Sequence, residues 1–71
     1  MEDKILEILK DVLDINNIEK SINQKDCDSW DSLRHLNLVI ALESSFNVSF
    51  EPEEIAEMKS FELIYKILLS K

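Results

Sequence analysis

Along the chain, apolar residues recur at three- and four-residue spacing, which is the period of an α-helix rather than the alternation of a strand. Between residues 3 and 15, Ile5, Leu6, Ile8, Leu9, Val12, Leu13 and Ile15 gather on one face. Glu7, Lys10, Asp11 and Asp14 take the other. This predicts an amphipathic first helix ending near Asn16-Asn17, residues that favour turns. From about Asn17 to Trp30 the period is lost in a run rich in Asn, Asp, Ser, Gln and Lys. So long a connection is uncommon in a small domain and is expected to be functional or pinned by apolar anchors. Ile18, Ile22 and Trp30 are the anchors at hand. A second helix is predicted from about Asp31 to Phe46, after which Asn47-Val48-Ser49-Phe50 breaks the pattern and gives Val48 and Phe50 to the core. Pro52 suits a first helical turn, where its missing amide hydrogen costs nothing, and Glu53 and Glu54 suit the positive end of the helix dipole. A short third helix is therefore predicted from Glu51 to Met58, with Ile55 and Met58 inward. Ser60 is placed to cap a fourth, from Phe61 to about Leu69, packing Phe61, Ile64, Tyr65 and Leu68. The expected fold is all-α, a four-helix bundle (long, long, short, medium) with an extended loop between helices one and two. It forms a single domain over residues 1–71.

The second helix differs from the others. Winding residues 31–46 at 100° per residue puts His35, Leu38, Val39, Leu42 and Phe46 on one side, fit to bury. Leu33, Leu36 and Ile40 then form a second apolar stripe, bordered by Asn37, Glu43 and Ser44. A surface helix of a small bundle needs only one apolar face. The second stripe calls for a partner surface, and it begins one residue after Ser32. Its plainer readings are a homodimer contact or scattered surface apolarity.

Composition narrows the function. At 71 residues the chain builds one modest core, worth about 3–5 kcal/mol, and a deep catalytic cleft is not expected. The net charge of −7 repels nucleic acid and favours basic protein surfaces. No apolar run approaches the length of a membrane span, and the Met-Glu-Asp-Lys start lacks the basic flank and apolar core of a secretion signal. The single Cys27 excludes an intrachain disulfide and fits a reducing compartment. A cytoplasmic location is expected.

Ser32 is the first candidate for chemistry. In the first turn of a helix, unpaired amides and the dipole favour a phosphate, with Asp31 just before it as a cap. The plainer reading is that both residues only cap. Nucleophilic catalysis needs a base within reach of Ser or Cys and a group to orient it. The one histidine, His35, follows Ser32 by three residues but projects onto the core side, and no glycine turn accompanies it, so a packed histidine is the reading adopted. Cys27, between Asp26 and Asp28, gains no activation from its neighbours and is read as unreactive. Asp26, Asp28 and Asp31 are spaced somewhat like a calcium loop, but the turn glycine and the closing glutamate are missing, position twelve being Asn37. No metal site is expected. The acidic third helix and the Glu2-Asp3 start read as solvated faces.

These residues resemble the acyl carrier protein family. The match rests on Asp31-Ser32-Leu33, then Leu36, Leu38-Val39-Ile40-Ala41-Leu42-Glu43 and Phe46, then Phe50, Pro52-Glu53-Glu54-Ile55, Met58 and Ser60, and it covers nearly the whole chain. The resemblance implies a non-catalytic carrier on which a phosphopantetheinyl transferase places 4'-phosphopantetheine, from coenzyme A, at Ser32. The arm's thiol then holds acyl groups as thioesters, charged by a ligase or acyltransferase and passed to a downstream synthase. By matching position, Asp31 accompanies the attachment site, and Leu33, Leu36, Asn37, Ile40 and Glu43 face partners. Leu38, Leu42, Phe50, Ile55 and Met58 line the interior where an acyl chain would tuck. Fatty-acid carriers usually show glycine shortly before the serine and acids along the second helix; this chain has Ser29-Trp30, then Arg34, His35, Asn37 and Ser44-Ser45. Trp30-Asp31-Ser32-Leu33 looks more like stand-alone carriers of polyketide-like, lipid or surface-polysaccharide pathways. Asp28-Ser29 duplicates the Asp-Ser pair one turn too early, and Ser32 is the better site. A monomer is expected. The alternative is a small helical adaptor that binds a partner through Leu33, Leu36 and Ile40.

Overall fold

Two of the helices are long enough to set the bundle, and both stop without glycine, which the chain lacks. The computed structural model describes residues 1–71. Helix α1 spans Glu2–Leu13 and buries Ile5, Leu9 and Leu13, one residue per turn along one stripe. It ends two residues short of the expected Ile15. Asp14 turns into the left-handed region (φ 54°, ψ 51°), and the Ile15 amide reaches back to the Lys10 carbonyl at 3.2 Å. The last carbonyls are thus paired while Ile15 folds back against the core. Helix α2, Ser32–Phe46, ends the same way: Asn47 has φ 54°, and the Val48 amide bonds the Glu43 carbonyl at 3.2 Å. Asp and Asn take this position because their short polar side chains tolerate it better than other non-glycine residues do.

The loop between α1 and α2 is anchored as its apolar residues predict. Ile18 and Ile22 pack against the core and Trp30 is buried. It also carries structure that the pattern does not announce. A single 3-10 turn covers Gln24–Asp26, capped by the Asn23 side chain, which accepts from the Asp26 amide at 3.0 Å. An antiparallel bridge pairs Asn23 with Ser60, with Gln24 N–H donating to Lys59 O (2.7 Å) and Phe61 N–H to Ile22 O (3.2 Å). The loop is therefore stitched by backbone to the start of the last helix.

Helix α3 is Pro52–Glu57, one residue shorter at each end than expected. Glu51 is its N-cap, donating its amide to Glu54 Oε1 at 2.8 Å, and Met58 leaves the helix at ψ 59°. Helix α4, Phe61–Leu69, has the expected bounds, and Ser60 Oγ accepts from the Leu63 amide at 3.1 Å. The core joins Ile5, Leu9 and Leu13 of α1 to Leu38, Val39 and Leu42 of α2 and to Phe61, Ile64 and Leu68 of α4, closed by Trp30, Phe50 and Met58. No polar or charged residue is buried. No helix is long and apolar enough to cross a membrane.

Candidate functional site

The start of α2 is built by Asp31. Its backbone is extended (φ −92°, ψ −175°), and its Oδ1 accepts from the Arg34 amide at 2.9 Å. Its carbonyl receives the first helical bond, from the His35 amide, also at 2.9 Å. These bonds satisfy the third and fourth amides and leave those of Ser32 and Leu33 pointing out of the helix end. Ser32 is exposed at the first helical position. Its hydroxyl therefore sits at the positive end of a 15-residue helix beside two unpaired donors. Ser29, the alternative serine, is half-buried, with its Oγ 3.4 Å from Cys27 Sγ.

The stretch before Ser32 is held from three sides. Trp30 N–H donates to Cys27 O at 3.0 Å, Gln24 Nε2 donates to Trp30 O at 3.1 Å, and the Trp30 indole N–H donates to His35 Nδ1 at 3.0 Å. His35 Nε2 lies 2.8 Å from the Ile55 carbonyl of α3. An indole nitrogen only donates and a carbonyl only accepts, so the ring carries its proton on Nε2 and accepts at Nδ1. Both nitrogens are committed, and His35 has no lone pair to offer the Ser32 hydroxyl. This removes the one base that nucleophilic catalysis at Ser32 would have used.

The predicted docking residues fall into two groups. Leu33, Leu36 and Ile40 stand out of α2, 68, 57 and 63 % exposed, and Asn37 is exposed between them. Glu43 is half-buried, and its Oε2 accepts from the Phe50 amide at 3.0 Å. Arg34 also turns in, donating from Nη1 to Val12 O at 3.2 Å, a carbonyl of the last turn of α1. The exposed residues of α2 are Ser32, Leu33, Leu36, Asn37, Ile40, Ser44 and Ser45, none of them charged, while Arg34, His35 and Glu43 are half-buried and each is bonded within the fold.

Of the predicted interior set, Leu38, Leu42 and Met58 are fully buried, Phe50 is buried and Ile55 is half-buried. They pack as core; none lines a surface hollow. The three loop aspartates do not converge on a common ligand. Asp26 Oδ2 takes the Asn23 amide at 3.0 Å and Asp31 caps α2. Sequence reasoning missed the Trp30–His35–Ile55 chain. The five-residue spacing across the helix start was a signal for its first link, but its second ends on a backbone carbonyl, which no residue type marks.

A scan against protein-family profiles finds no match. A curated acyl carrier protein of Petrotoga mobilis is 32 % identical over 71 residues, covering 97 % of this chain and 84 % of the relative. The chain belongs to the acyl carrier protein family. The four-helix fold and this relative agree with a carrier that works with partner enzymes of acyl metabolism.

Proposed function

We propose that the chain is a discrete acyl carrier on which Ser32 takes a 4'-phosphopantetheine arm. The observation that supports this best is the place of Ser32, exposed at the first position of α2 next to two amides without intrahelical partners. Those amides and the helix dipole suit the phosphodiester that would be formed. The expected modifying enzyme is a phosphopantetheinyl transferase acting on coenzyme A with magnesium. The Ser32 Oγ–phosphorus bond forms and the pyrophosphate bond of coenzyme A breaks. Adenosine 3',5'-bisphosphate leaves, and the hydroxyl proton goes to a base on the transferase, since His35 is committed elsewhere. When bound, the arm supplies a terminal thiol that holds acyl groups as thioesters. Asp31 fixes the helix end, and Leu33, Leu36, Asn37 and Ile40 offer the surface against which loading and unloading enzymes dock.

The lack of charge on that surface shapes the choice of partner. A basic groove gains little from Leu33, Leu36, Asn37 and Ile40, whereas an apolar one is matched. This favours a specialised polyketide-like, lipid or surface-polysaccharide pathway over housekeeping fatty-acid synthesis. Thiol titration of the denatured protein tests the reading. The unmodified chain has one thiol, at Cys27, and treatment with coenzyme A, magnesium and a broad-specificity transferase should raise the count to two. A count that stays at one in folded protein favours the adaptor instead.

A further inference from the structure

We infer that His35 is a positioning residue: locked as its Nε2–H tautomer, it ties the Trp30 loop and α3 to the first turn of α2 and so sets how Ser32 is presented. The inference rests on Ser32 as the attachment site. Its second footing is the chain of bonds from Trp30 Nε1 to His35 Nδ1 (3.0 Å) and from His35 Nε2 to Ile55 O (2.8 Å), with the two rings stacked at 6.2 Å.

Each partner needs the tie for its own reason. Helix α3 has six residues and buries none of them fully, too few to be stable alone. Its polar attachments to the rest of the chain are the His35 bond at Ile55 and the ion pair of Glu54 with Lys71, at 2.7 Å. The Ile55 carbonyl, in the last turn of α3, also accepts from the Met58 amide at 3.3 Å, so His35 is its second donor and the one that comes from another helix. The Trp30 side has a long polar loop behind it and the helix start in front. The indole and the Trp30 carbonyl are both held, which restrains the backbone where it enters the Asp31 cap. His35 lies one turn beyond Ser32, so the restraint acts on the turn that carries the hydroxyl. A transferase meeting Ser32 then finds the loop, the helix start and α3 already in one arrangement and need not order them on binding. Losing that pre-organisation would cost the complex about tenfold in affinity, the equivalent of ordering one or two side chains.

Ring-nitrogen NMR of the 15N-labelled full chain tests the lock before any enzyme is added. A ring protonated on Nε2 alone and a Trp30 indole proton protected from exchange are expected; a ring protonated on Nδ1 overturns the inference. Transferase kinetics with coenzyme A and magnesium test the consequence. His35→Phe keeps the ring shape and loses both bonds, and should raise KM for the carrier about tenfold with kcat changed less. His35→Gln offers an acceptor and a donor at similar reach and should recover most of that loss. A KM for His35→Phe equal to wild type overturns the positioning role. Should His35→Phe fail to fold, Trp30→Phe removes the same indole donor from the other side, and the comparison is made there with the same two outcomes. If the wild type takes no arm at all, the Ser32 reading fails and the positioning role falls with it, while the ring spectrum still decides whether the lock exists.

Discussion

Two substitutions on α2, two residues apart, should have opposite consequences. Ile40 is 63 % exposed and Leu42 fully buried. Complete burial of such a side chain stabilises a fold by about 1.5–3 kcal/mol, so the third of Ile40 that is covered contributes about 0.5–1 kcal/mol. Aspartate in a helix interior costs about 0.5 kcal/mol more. Ile40→Asp should therefore lose about 1–1.5 kcal/mol and stay folded. Leu42→Asp loses the whole transfer contribution and places a carboxyl among apolar neighbours with no partner, which costs several kcal/mol more. That exceeds the roughly 3–5 kcal/mol a domain of this size holds. Urea unfolding followed by far-UV circular dichroism and by the fluorescence of Trp30, the only tryptophan, separates the two. If Ile40→Asp loses more than about 2 kcal/mol, or Leu42→Asp unfolds cooperatively near wild type, the assignment of the two faces is wrong. In the arm-transfer assay the folded Ile40→Asp protein should show a raised KM, because its charge lies in the proposed docking face.

Glu43 gives a second contrast. Glu43→Gln keeps an acceptor for the Phe50 amide and should unfold within about 1 kcal/mol of wild type, whereas Glu43→Ala strands that amide and should cost about 1–3 kcal/mol. A tenfold KM defect in Glu43→Gln at unchanged stability would make it a docking residue instead. Glu54 predicts a pH dependence. Its bond from the Glu51 amide, helped by Lys71, holds the carboxyl below the ordinary glutamate range. A lowered folded-state value contributes stability that is present above the unfolded value and lost as pH falls through the folded one. Urea midpoints from pH 7 downward should therefore fall more steeply in wild type than in Glu54→Gln below the ordinary glutamate value; parallel curves would refute the tie.

The helices were readable because apolar spacing reports which face is buried, and α4 with its Ser60 cap was read residue for residue. Both unburied stripe and buried face of α2 followed from one wheel. What escaped was of two kinds. Asp14 and Asn47 end their helices in left-handed geometry, a device usually announced by glycine, so α1 was read two residues long. The Asn23–Ser60 bridge and the bonds of His35, Arg34 and Glu43 to backbone groups leave no trace in residue type at their far ends. For Glu43 this bears on function: the sequence placed it among the docking residues, and in the fold it is half-buried with one carboxylate oxygen bonded to the Phe50 amide.

Intact-protein mass spectrometry of three chains, wild type, Ser29→Ala and Ser32→Ala, after treatment with coenzyme A, magnesium and a broad-specificity transferase tests the central claim most directly. Wild type and Ser29→Ala should each gain the mass of one phosphopantetheinyl group and Ser32→Ala none. Addition to Ser32→Ala, or to none of the three while all remain helical, would contradict Ser32 as the site of the arm.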